Sequence, residues 1–141
     1  MISAELELLI AQLKENGEMR FLEAATEEQI VFFERKNEIV FPEKYKEWLQ
    51  FSDGGECFLP AGVQFYGVAH KPLIDVNDNC RPNDSYIVIG ALANGDPIVF
   101  EKGNEQISIY NHECNRIEDD EVYTDFFAFL NDLYEMLGIG E

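Results

Sequence analysis

Apolar residues recur at helical spacing at both ends of this chain and switch to short aromatic and branched runs of strand character between them. That change of period narrows the fold more than any motif does. At the start, Ile2, Leu6, Leu9, Ile10 and Leu13 share one helical face, Ser3 is placed to cap them, and Asn16-Gly17 ends the run. A second helix opens at Thr26, where Gln29 three residues on completes a capping box, with Ile30 and Phe33 on one face. Phe41-Pro42 begins a short third helix, because proline is tolerated where a first-turn N–H would be unpaired anyway. Tyr45, Trp48 and Leu49 share its face, and Asp53-Gly54-Gly55 stops it. At the far end, Phe126, Leu130, Leu133 and Leu137 form an apolar stripe beside Phe127 and Tyr134, closed by Gly138.

The middle of the chain reads as strand. Gln64–Val68 and Tyr86–Leu92 are rich in aromatic and branched residues, and the polar stretch from Lys71 to Ser85 between them reads as a long exposed loop. Asn94-Gly95, between Tyr86–Leu92 and Pro97–Phe100, is the strongest short-range hairpin signal. Lys102-Gly103-Asn104 predicts a second hairpin into Gln106–Tyr110. The expected fold is α+β: N-terminal helices, a central antiparallel β-meander, and a C-terminal amphipathic helix packed on the sheet. With no repeat and no linker composition, residues 1–141 are expected to form one domain.

Charge bounds the partners. Asp and Glu number 28 against 10 Lys and Arg, for a formal net charge of -18. Such a surface repels phosphate and anionic lipid, so direct nucleic-acid or membrane binding is not expected, whereas basic protein surfaces are attracted. Excess carboxylates also serve solubility, and charge alone does not separate the two readings. Cys57, Cys80 and Cys114 are odd in number and include no CxxC pair, which fits a reducing compartment. The N-terminus lacks a basic signal region, and no apolar run is long enough to span a bilayer, so a cytoplasmic location is expected.

Chemistry-bearing patterns are scarce. There is no GxSxG, HExxH, Walker or GxGxxG motif, and the two histidines, His70 and His112, have no triad-like spacing, so no catalytic residue is assigned. His112-x-Cys114, if extended, would point both side chains to one face, but further ligands would have to come from His70, Cys57 or Cys80. An ordinary half-buried pair is the better reading, and neither metal nor cofactor is expected. Glu118-Asp119-Asp120-Glu121 lacks the alternation and glycine of a calcium loop and reads as a solvated acidic loop leading into the last helix. If the run makes a specific contact, a basic protein surface is its natural partner. Trp48 reads as core packing rather than a contact anchor.

Phe41-Pro42-x-x-Tyr45-Lys46-x-x-Leu49 followed by Asp53-Gly54-Gly55 resembles the "LP-x-x-Y-K-x-F-L … N-G-G" signature of the Smi/Knr family, the core of the SUKH superfamily. Ile89-Gly90 with Asn94-Gly95-Asp96-Pro97-Ile98 resembles that family's "I-G … G-D-x-I" hairpin. Ile109-Tyr110-Asn111-His112-Glu113 looks like its strand ending in "H-E", and Asp125–Leu130 looks like its closing helix. The similarity runs from about Thr26 to Leu137 in the family's order, with Phe41, Asp53, Asp125 and Ala128 as departures. Cap, turn and apolar positions tolerate such swaps, so the first three are expected to keep their structural roles. The loop from Lys71 to Ser85 has no counterpart.

The resemblance implies a non-catalytic binding module, with Pro42, Tyr45, Trp48, Leu49, Gly54, Gly55, Gly95, Phe126 and Leu130 as framework residues. Bacterial members are taken as immunity proteins that neutralise a cognate toxin; fungal members act as regulatory hubs. The expected function is therefore neutralisation of a basic, nucleic-acid-targeting toxin domain, with a constitutive scaffold role as the alternative. The expected contact lies on the sheet face and adjoining loops, with Asp96, Glu118, Asp119, Asp120 and Glu121 contributing charge.

Overall fold

The computed structural model describes residues 2–60 and 62–137. Three helices come first: α1 (Ala4–Asn16), α2 (Glu27–Asn37) and α3 (Glu43–Leu49). Six strands follow: β1 (Gly55–Cys57), β2 (Val63–Phe65), β3 (Tyr86–Leu92), β4 (Pro97–Glu101), β5 (Ile107–Asn111) and β6 (Arg116–Tyr123). Helix α4 (Phe126–Met136) closes the described chain. The expected terminator Gly138 lies outside the described residues. Strands lie side by side in chain order, every neighbour antiparallel, so the sheet is a plain meander.

Local chemistry explains the helix starts. Ser3 Oγ accepts from the Leu6 N–H at 3.2 Å. Thr26 and Gln29 exchange both bonds of a capping box, and Asp125 Oδ1 accepts from the Ala128 N–H at 2.8 Å. Each such cap contributes about 1 kcal/mol by satisfying a first-turn donor. The hairpin between β3 and β4 closes through Gly95 N–H to Leu92 O, with Gly95 at φ 95°. Only a residue free to take positive φ completes a three-residue loop of this kind.

One face of the sheet carries Ile87, Ile89, Ile98, Phe100, Ile107 and Ile109 into the main core beneath the helices. There Trp48, Phe65 and Phe126 pack edge-on or tilted, with centroids 5.2–5.8 Å apart. Tyr45 lies 4.8 Å from Phe126 and donates its hydroxyl to Tyr66 O. Trp48 is fully buried, and its Nε1–H donates to Gly54 O at 3.0 Å, which ties α3 to the glycine turn. Leu130 and Leu133 of α4 are buried in the same core, and Phe129 meets Tyr123 of β6 edge-on.

Two strands run where none was expected. The Gly54-Gly55 turn ends in β1, and the acidic run belongs to strand β6 rather than to a loop before the last helix. Pairing with β5 imposes the extended conformation on β6. Tyr110 pairs with Ile117 and Ser108 with Val122, so Glu118–Glu121 bulge out opposite Ile109. Bulges on edge strands turn side chains away from the ladder and blunt the exposed edge.

Candidate protein-interaction face

The sheet face turned away from the main core has a floor of its own. Val88, Val99 and Tyr110 form a small buried cluster, with Tyr66, Tyr86 and Ile117 packed around it. The long loop after Tyr66 is tied down beside this face. Arg81 donates to Val76 O and Tyr86 O, and its side chain is only 10% exposed.

Around that floor the fold gathers carboxylates from separate elements. Asp96, in the β3–β4 turn, accepts from both the backbone N–H and Nδ1 of His112 in the β5–β6 turn. Glu121 of β6 sits close enough to Asp120, Asp96 and Glu118 that its carboxyl is raised, first by desolvation and then by those three charges. The Cys80 thiol is raised by desolvation and by Asp78 and Asp96. The structure thus brings Asp96, Glu118, Asp120 and Glu121 together, with Asp119 exposed on the same bulge. Asp78, from the loop, accepts from the Cys80 N–H and acts with Asp96 on the Cys80 thiol. No spacing rule reached Asp78, because a loop's path is set by what it packs on.

The helical side is different. A groove of about 480 Å³ between α1, α2, α3 and α4 also carries many carboxylates, Glu5, Glu34 and Glu43 among them. Lys44 lies 3.4 Å from Glu5, and Lys46 lies 3.5 Å and 3.3 Å from Glu34 and Glu43. Two lysines thus compensate part of the charge of the five glutamates that line the groove. Among the described residues, the basic side chains that meet carboxylates at the acidic rim are Arg116, on Glu118, and His112, on Asp96. The rim therefore holds the less compensated negative charge.

A second histidine–carboxylate pair lies at the glycine turn. Asp53 is fully buried and accepts from the backbone N–H groups of Val68, Ala69 and His70 and from His70 Nδ1. Asp53 was expected only to serve the turn; the contacts show its carboxylate organising the segment after β2. His112 and Cys114 occupy a turn, not an extended stretch, and among the described residues no group of three or more His, Cys, Asp or Glu side chains could hold a metal ion.

The framework residues surround this turn and core. Pro42 precedes α3; Tyr45, Trp48, Leu49, Phe126 and Leu130 are buried; Gly54 and Gly55 take φ 95° and 110°. Among the described residues no helix is long and apolar enough to cross a membrane.

Helices on one face of a six-stranded antiparallel meander define an α+β protein. Residues 24–132 match the SMI1 / KNR4 family (SUKH-1), and the chain belongs to that family. A crystal structure of a protein from Pseudomonas syringae pv. tomato superposes with a TM-score of 0.64 at 18% identity, covering 90% of this chain and 96% of that one. At that identity the likeness speaks for the fold alone. No curated protein matches the chain.

Proposed function

We propose that this chain is a non-catalytic immunity-type protein that neutralises a basic, nucleic-acid-targeting toxin domain by covering its active cleft. The observation that carries the reading is the gathering of Asp96, Glu118, Asp120 and Glu121 at one rim of a chain of net charge -18. Clefts that bind nucleic acid are basic, and an acidic protein surface occupies them as phosphate would. Opposite fields also steer the encounter, so association is fast and slows as salt rises. Family membership agrees with a protein partner.

Growth rescue tests it. The C-terminal domain of any large protein encoded immediately upstream is expressed with and without this chain. Killing by that domain and restored growth with this chain are expected. A toxic domain that this chain does not restrain would refute the pairing and favour a scaffold role with a host partner.

A further inference from the structure

A furrow in two parts runs past the C-terminal end of α2. The first part, about 520 Å³, lies between α2 and the β4–β5 turn, with Val31, Ile39 and Val40 as its apolar floor. The second, about 350 Å³, lies between that turn and the long loop, where Asn77, Asn79 and Arg81 line it. Ile39 and Lys102 line both parts, so the two adjoin. Hydrogen bonds fix the walls. Arg81 pins the loop through Val76 O and Tyr86 O, and the Lys102 N–H donates to Ser85 O at 2.8 Å. The Ile39 N–H returns to Glu34 O at 3.0 Å; Ile39 is buried, while Val40 beside it stays 65% exposed.

The cations here are unpaired. Among the described residues neither Arg35 nor Lys102 lies within ion-pair distance of a carboxylate, although acids outnumber bases 28 to 10. Glu34 is already engaged by the Phe41 N–H at 2.8 Å and by Lys46, and Asp84 by Arg81. Glu38 is then the opposing charge that lines the furrow. Arg35 also suits the negative end of α2, but Lys102, on a hairpin turn, answers to no helix. An apolar floor between free cations complements a segment that combines apolar side chains with carboxylates. We infer that the furrow docks an acidic–apolar segment of a protein partner, its apolar side chains on Val31, Ile39 and Val40 and its carboxylates on Arg35 and Lys102. Asn77 and Asn79, on the loop wall, offer both donors and acceptors to the backbone of such a segment. The inference goes beyond the toxin reading, since this face has the opposite charge to the acidic rim and reads a different segment.

Fluorescence anisotropy of a labelled Glu-Glu-Leu-Leu-Glu-Glu peptide against the full chain tests it, at about 0.15 M salt, where the field of distant carboxylates is screened. A Kd tighter than about 1 mM is expected. Arg35→Glu, Lys102→Glu and Val40→Ser should each weaken binding about 3–10-fold, and so should serine in place of both peptide leucines. Lys14→Glu makes the same charge change on α1, outside the furrow, and should leave binding as it is. All four substituted side chains are exposed, so the fold is expected to survive, which emission from the buried Trp48 checks. No binding at about 1 mM peptide would overturn the inference. Equal losses from Lys14→Glu and Lys102→Glu would overturn it too, because the attraction would then be diffuse. Indifference to the leucines and to Val40→Ser would remove the apolar floor from the site and overturn it as well.

Discussion

Asp53 and His70 are locked together at the glycine turn: the fully buried Asp53 carboxylate takes the His70 backbone N–H and the His70 Nδ1–H, each at 2.8 Å. The same carboxylate accepts Val68 and Ala69 N–H at 2.7 and 2.8 Å, while the Asp53 N–H donates to Glu23 O. One residue therefore joins the segment before α2, through its backbone N–H, to the chain leaving β2, through its side chain.

Asp53→Asn should destabilise the fold by about 2–4 kcal/mol, since an amide NH2 cannot accept where the carboxylate does and leaves buried donors unpaired. Urea unfolding followed by emission of the single, buried Trp48 reads it directly. An unchanged midpoint would show that the carboxylate is dispensable.

Gly54→Ala should also destabilise. At φ 95° a Cβ would meet Phe65 O at 2.6 Å, a backbone contact with nowhere to move. Strain of this kind costs on the order of 1–3 kcal/mol, to which the crowded Gly54–Phe65 contact adds. Thermal unfolding of the variant checks it. Gly103→Ala is the control, because a Cβ there meets nothing within 4 Å, and it should cost less.

Thiol accessibility should divide the cysteines. Burial pushes Cys57 up to about 12, whereas Cys80 and Cys114 are exposed. A thiol reagent at mildly alkaline pH should modify Cys80 and Cys114 in the folded protein, and Cys57 only after denaturant is added. Rapid labelling of Cys57 under native conditions would contradict its packing.

Glu121 should make stability fall with rising pH. Its folded-state carboxyl is raised, first by desolvation and then by Asp120, Asp96 and Glu118. The folded state therefore holds the proton more tightly than the unfolded chain does. Stability from this group is full below the ordinary glutamate range and is lost as pH climbs through the raised value. Glu121→Gln should be more stable than the parent at neutral pH, the difference vanishing below about pH 4. Urea midpoints of both proteins across that range give the comparison; a difference that grows on acidification would reverse the sign.

Local signals read from the sequence reached their targets because their physics acts within a few residues. Ser3, Thr26 and Asp125 cap the helices they precede, Gly95 and Gly103 take positive φ in the two hairpin turns, and the stripe through Phe126 and Leu130 faces the core. Where the outcome depends on a distant partner, the same reading fell short. β1 is three residues long and exists because β2 pairs with it. β6 carries no apolar alternation at Glu118–Glu121, since that stretch bulges from an edge and is held extended by β5.

By itself, then, the sequence determined element types, caps, turns and the apolar faces, all matters of backbone preference and short-range periodicity. Tertiary structure alone decided which charges become neighbours. Asp53 meets a histidine 17 positions away, and Asp96 shares one rim with Glu121 of the edge strand. Electrostatic energy depends on distance in space and on burial, and neither is encoded in spacing along the chain until the sheet has formed.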